Sequence, residues 1–248
     1  MSTYRLGTVA PIVLVLACAS RAIAGPNWDE TINGGGDAGS SIITAQPVTL
    51  LQVNRISGSL STGVVADFED VYLIRITEPT LFQAHTDSAG GGSADFDTQL
   101  WLFSAIGLGL LGNDDVATND FQSQLLASSN DGTGIMLTTP GCYYLAISGF
   151  NNDPLSAGGA IFNQVSFTEI SGPDGPGGAQ PLSGWTGAGA VGNYAIQFIT
   201  TPPTVGGPVC QAIPTLSEWG LIILTLVLLT AGGVLIRRQR RSVTPTMG

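Results

Sequence analysis

The chain of 248 residues contains no lysine; its eight basic residues are all arginine. That removes Schiff-base chemistry, a lysine nucleophile and a lysine phosphate ligand. Histidine occurs once, as His85, so any Ser-His-Asp constellation would have to be built on it. No Gly-x-Ser-x-Gly elbow accompanies it. Cysteine is limited to Cys18, Cys142 and Cys210. Two carboxylates could in principle serve glycoside hydrolysis, but nothing in their spacing singles out a pair. The inventory favours a non-enzymatic protein.

Helical patterning is also missing. Between Gly25 and Gln211 no stretch sustains a 3.6-residue apolar repeat. Short β-rich runs bounded by Gly, Pro, Asn and Asp take its place. A strand is expected within Val48–Leu60. Asp70–Thr77 is a strong one, with Tyr72, Ile74 and Ile76 on one face and Val71, Leu73 and Arg75 on the other. Thr80–Thr86 follows, and then Thr98–Phe103, where Trp101 and Phe103 alternate with Leu100 and Leu102. Gly134–Thr138 and Cys142–Ser148 read as a pair around the turn Thr139-Pro140-Gly141. Ala160–Ile170 and Asn193–Thr200 complete the set. The expectation is an all-β fold, one jelly-roll-like β-sandwich over residues 45–200. Residues 25–44, rich in Gly, Asp and Ser, read as a flexible lead-in, and 201–212 as a Pro/Gly stalk.

Both ends read as targeting segments. Arg5, the apolar run Val9–Ala19 and the small-x-small site Ala22-Ile23-Ala24 have the form of a secretory signal peptide over residues 1–24, implying passage through the secretion translocon. Processing at Cys18, behind Val15-Leu16-Ala17, is the alternative. Near the other end, Leu221–Ile236 is uncharged and, with Trp219 and Gly220, makes 18 residues, near the lower limit for a transmembrane helix. Arg237, Arg238, Arg240 and Arg241 follow as a membrane stop on the cytoplasmic side, leaving 242–248 as a cytoplasmic tail. The expected precursor is anchored in the inner membrane.

With those segments set aside, seventeen acidic residues face only Arg55 and Arg75, and the exported part carries a charge of about −15. Such a surface repels nucleic acid and attracts cations. Cys142 and Cys210 are left as an even pair in an oxidising compartment, so a disulfide joining the stalk to the domain is expected, with two unpaired thiols as the alternative.

The sequence Ile213-Pro214-Thr215-Leu216-Ser217-Glu218-Trp219-Gly220, followed by the apolar run and the arginine cluster, closely resembles the IPTL-CTERM sorting signal over residues 213–241. The resemblance implies an exosortase-type membrane enzyme as partner. That enzyme would cut near Ile213 to Gly220 and could transfer the protein to a surface acceptor, leaving it at the cell surface, on the outer membrane or released. Asp67-Phe68-Glu69-Asp70-Val71-Tyr72, Asp97-Thr98-Gln99-Leu100-Trp101-Leu102-Phe103, Asn113-Asp114-Asp115 and Gly141-Cys142-Tyr143-Tyr144-Leu145-Ala146-Ile147 resemble the bacterial pre-peptidase C-terminal domain over roughly residues 55–150. That family implies a non-catalytic jelly-roll sandwich. Residues 151–200 depart from it.

Among the acidic residues, Asp95 and Asp97 precede a strand, and Asp114 and Asp115 sit in the loop after it, near Asn113, Asn119 and Asp120. Calcium takes six to eight oxygens, which such loops supply, so these four aspartates are the candidate Ca2+ ligands; a solvated acidic loop is the plain alternative. Trp185, in a Gly-rich loop, suits a carbohydrate platform better than Trp101, which the strand pattern places in a core. The first functional reading is a surface-displayed structural or adhesive protein. The second is a calcium-dependent carbohydrate- or matrix-binding module, and a secreted hydrolase comes last.

Overall fold

The computed structural model describes residues 25–199 together with Val205, Cys210 and Thr225. The expected signal peptide, the sorting motif and the arginine cluster lie outside the described residues, and of the apolar run only Thr225 is described. Among the described residues no helix is long and apolar enough to cross a membrane.

Residues 25–199 form strands, turns and one 3-10 turn, Pro79–Leu81. In chain order the strands are β1 (Asn27–Asp29), β2 (Gln46–Pro47), β3 (Arg55–Ser59), β4 (Glu69–Ile76), β5 (Gln83–His85), β6 (Ser93–Ala94), β7 (Thr98–Ser104), β8 (Gly109–Asn113), β9 (Gln124–Leu126), β10 (Gly141–Gly149), β11 (Pro154–Ser156), β12 (Gly159–Ala160), β13 (Leu182–Trp185) and β14 (Asn193–Phe198). One sheet runs β1-β3-β14-β5-β9, with β6 also paired to β14. A second runs β2-β4-β10-β7-β8, and a small third sheet runs β12-β11-β13.

The two large sheets share one apolar core, a sandwich-like arrangement. Ile56, Ile196 and Phe198 meet Tyr72, Ile74, Leu100, Leu102, Leu145 and Ile147 within it. The second sheet is buried on its other face as well. There Val71, Leu73, Trp101, Phe103, Tyr144 and Ala146 lie under Ile161, Phe162 and Leu182, which come from the region of the small sheet. This double burial explains why β4 and β7 read as nearly unbroken apolar runs. The Trp101 and Phe162 rings stand 5.2 Å apart, and those of Phe103 and Phe162 6.2 Å.

The expected hairpin of Gly134–Thr138 with Cys142–Ser148 does not form. β10 is already paired along its length with β4 on one side and β7 on the other, so no edge is left for it. Met136 instead bridges Ser128. Ala160–Ile170 likewise contributes only the end of β12 and then turns, because it covers the second sheet as a loop with inward Ile161 and Phe162. Residues 25–44, expected as a flexible lead-in, pack onto the body: β1 joins β3 in parallel register, Trp28↔Ile56. Trp28 is buried and donates from Nε1 to Gln46 Oε1 at 2.8 Å, while Gln46 Nε2 reaches the Glu30 and Gly36 carbonyls at 3.1 and 2.7 Å. Gly34 lies against this amide so closely that a Cβ there would stand 1.9 Å from Gln46 Cδ.

The disulfide is present: Cys142, near the start of β10, is bonded to Cys210 with their Cα atoms 5.7 Å apart, across 68 residues. Val205, in the stretch read as a stalk, is fully buried, bridges Val53 and Ile76, and accepts from the Val53 N–H at 2.7 Å. That segment is therefore fastened to the body at two points. Closing a loop of this length removes chain entropy equivalent to about 4 kcal/mol. Cys210→Ser should lower unfolding stability by up to about that amount in urea titration, with reduction of the native protein giving the same loss.

Candidate functional site

The β7–β8 ladder brings two of the predicted acidic segments together. Leu100 pairs with Asn113, so the residues just before β7 and just after β8 meet at one end of the sheet. Carboxylate oxygens of Asp97, Asp114 and Asp115 lie within 4.8 Å of one another. Asn113, fully buried, holds the loop in place. Its amide nitrogen donates to the Asp115 and Glu169 carbonyls at 3.0 and 2.9 Å, and its Oδ1 accepts from the Gln124 N–H at 2.8 Å. Asp95 does not join this group. It sits beyond β6, on the other sheet, and binds the Asn193 backbone N–H at 2.6 Å and side-chain amide at 3.0 Å.

The cluster is short of positive charge. Among the described residues no arginine is ion-paired to a carboxylate, and the one basic side chain in contact with a carboxylate is His85, 2.7 Å from Asp87. Burial, then the neighbouring carboxylates of Asp115, Asp97 and Asp153, push Asp114 up to about 8. Burial and Asp115 raise Asp97 to about 6. Burial and then Asp120 raise Asp115. Asp97 Oδ1 and Asp114 Oδ1 are buried without a hydrogen-bond partner. An orphaned buried carboxylate oxygen is costly, and crowded carboxylates relieve that cost by holding a proton or a cation. Calcium, which coordinates oxygens alone, fits this donor set.

A second cluster escaped the sequence reading. Glu30, Asp37 and Asp70 also bring carboxylate oxygens within 4.8 Å of one another. Glu30 follows β1, Asp37 sits in the N-terminal loop, and Asp70 is fully buried in β4. Glu30 accepts from the Ser59 N–H at 2.8 Å and from the Tyr72 hydroxyl at 3.2 Å. Tyr72 and Tyr194 share a hydrogen bond of 2.5 Å, and Tyr194 donates to Asp70 Oδ2 at 2.6 Å. Asp70 Oδ1 has no partner. Burial and then Glu30 push Asp70 up to about 9, while burial and Asp37 push Asp67 to about 7. Burial, which outweighs the Ser59 and Tyr72 hydrogen bonds, also raises Glu30. Asp67-x-x-Asp70 was visible in the sequence. Its partners were not, because Glu30 and Asp37 come from a segment whose composition suggests a loop.

His85 is buried, with Nδ1 2.7 Å from Asp87 Oδ1. Its Nε2 has no partner, so no nucleophile is hydrogen-bonded to this dyad. Trp185 borders an open groove of about 590 Å3 with Ser40, Ile42, Glu69, Leu182 and Ser183. Its indole N–H is committed to the Ser40 carbonyl at 2.7 Å. A second cavity, of about 330 Å3, opens beside Asp114 and is bordered by Gln99, Phe150, Asp153, Gln164 and Phe167.

The raised carboxylates set a pH dependence. In the folded, cation-free protein Asp67, Asp114 and Asp70 keep protons up to about 7, 8 and 9, whereas the unfolded chain releases them near 3.8. The folded state therefore binds more protons in between, and stability falls as pH rises through that window. In a chelator the thermal midpoint should drop between about pH 5 and about pH 8.5, and calcium should restore it at the upper end. Asp70→Asn, which removes one group that binds its proton more tightly in the folded state, should flatten the fall in chelator and shrink the calcium response. A midpoint indifferent to both pH and calcium would sink the cation reading of both clusters.

No curated protein matches this chain. The family comparison matches the IPTL-CTERM motif over residues 211–241, a span that contains Ile213, Pro214, Thr215, Leu216, Trp219 and Gly220 as well as Arg237, Arg238, Arg240 and Arg241 and begins directly after disulfide-bonded Cys210.

Proposed function

We propose that this is an exported structural or adhesive protein displayed at the cell surface, cut at its C-terminal signal by an exosortase-type enzyme. The observation that carries the reading is the IPTL-CTERM match at residues 211–241, joined to an all-β body that the Cys142–Cys210 bond ties to the residue before it. The signal peptide of residues 1–24 and the apolar run Leu221–Ile236 supply entry to the translocon and a transient hold in the inner membrane. Within this reading the β body has no catalytic role and acts as the displayed part. Its two facing sheets are compatible with a jelly-roll of the pre-peptidase C-terminal kind.

The second reading is a calcium-dependent binding module. It is favoured by two carboxylate clusters, each with an orphaned buried oxygen and neither ion-paired to a basic side chain among the described residues. Asp97, Asp114 and Asp115 would hold one ion; Glu30, Asp37 and Asp70 would hold another and fasten the N-terminal segment to β4. Calcium would supply charge neutralisation and fixed loop geometry. Extracellular modules bind calcium at millimolar to submillimolar levels, a range suited to an exported domain.

Intact mass spectrometry of the protein recovered from its native cells tests the first reading. The expected species lacks residues 1–24 and everything beyond the cut within Ile213–Gly220, and any added mass identifies the acceptor. Recovery of the full tail, only in the inner-membrane fraction, would make the protein a plain membrane-anchored one.

A further inference from the structure

We infer that the cavity of about 330 Å3 beside Asp114 is a saccharide-binding site, with the ligand seated against Phe150 and Phe167 and held through Gln99, Asp153 and Gln164. The inference rests on the calcium-dependent reading and gives that module a location and a ligand class.

Its walls combine the two chemistries a sugar requires. A pyranose presents apolar C–H faces and a rim of hydroxyls, so its sites pair aromatic rings with side chains that donate and accept hydrogen bonds. Phe150 and Phe167 meet edge to face, with centroids 6.1 Å apart. Phe167 is 56% exposed although it belongs to an aromatic pair at the cavity, which leaves ring surface free for a ligand to cover. Trp101 and Phe162 line the cavity as well, and Trp101 is locked by its indole N–H to Ser148 Oγ at 2.8 Å.

The polar side is built and incompletely used. Gln99, 2% exposed, donates from Nε2 to Asp153 Oδ1 at 3.0 Å, which orients both side chains. Gln164 Nε2 is buried with no partner, and so is Oδ1 of Asp114, which is itself 1% exposed. Both residues border the cavity, and the two orphaned atoms, of opposite hydrogen-bonding sense, are themselves covered, so a ligand pairs with them as these side chains turn toward it. A wholly apolar ligand would leave both desolvated and unpaired. An anionic ligand would meet Asp114 and Asp153, with no basic side chain among the described residues lining the cavity. A neutral polyol can donate to carboxylates, accept from the amides and cover the rings. A cation on Asp97, Asp114 and Asp115 would form one wall of the site and keep Asp114 ionised. Among the described residues, none of the orphaned buried atoms belongs to the lining of the larger groove at Trp185.

The test is isothermal titration of the exported protein with glucose, galactose, mannose, N-acetylglucosamine and their common disaccharides, in calcium and in EDTA. At least one is expected to bind. Phe167→Ala and Gln164→Ala should each weaken that binding about tenfold, the scale of one lost ring contact or hydrogen bond. Because Phe167 is exposed, its variant should keep the wild-type thermal midpoint, so loss of binding cannot be ascribed to unfolding. Binding that persists undiminished in both variants, or no binding by any of these sugars, overturns the site. Calcium stabilisation without sugar binding would leave the cation reading standing and remove the saccharide site. Sugar binding equal in calcium and EDTA, and weakened in the two variants, would keep the site and remove its dependence on the ion.

Discussion

The architecture depends on β10, which is paired with β4 along one edge and β7 along the other and is apolar on both faces. Tyr143, Leu145 and Ile147 enter the core shared with the first sheet, while Tyr144 and Ala146 lie under the third layer. Asp70 lies on β4, while Asp97 and Asp114 flank the β7–β8 pair. Both acidic clusters thus involve strands paired directly to β10, and the chain pays for that placement in desolvated carboxylates. The second residue of the same strand is the cysteine bonded to Cys210.

The strands legible in the sequence were those with strong local patterns. Asp70–Thr77, Thr98–Phe103 and Cys142–Ser148 appear close to where their composition puts them, because short, nearly continuous apolar runs bounded by turn residues leave few other ways to bury the side chains. Thr139-Pro140-Gly141 misled as a hairpin turn. A turn signal reports local backbone preference, not which strand will occupy the edge beside it, and β4 and β7 had already taken both edges of β10. The parallel pairs β1–β3 and β2–β4 were invisible for a related reason: they involve two- and three-residue strands joined to distant partners, with no hairpin to announce them.

The candidate site shows the same division. Asp97, Asp114 and Asp115 could be grouped because a short strand pair separates them in sequence. Asp95, only two residues from Asp97, falls on the other sheet. Glu30 and Asp37 required knowledge that Gln46 pins the N-terminal segment, a contact carried by a single buried amide. Composition did foretell the electrostatic problem: with no lysine and two arginines between Gly25 and Ser217, few carboxylates could find a basic partner wherever the fold put them. What it could not foretell was that several would be buried together.

The attachment of Val205 and Cys210 has a geometric consequence for display. Gly220 lies ten positions beyond Cys210, so a chain end produced anywhere within Ile213–Gly220 lies at most about 35 Å from the disulfide even when fully extended. In the proposed display, an acceptor joined to that end would hold the domain on a short leash, close to the supporting surface and unable to sample the wide volume a flexible stalk would allow. Reach would have to come from many copies side by side, and a layer of such copies, each strongly acidic, would space itself by mutual repulsion unless cations drew its members together.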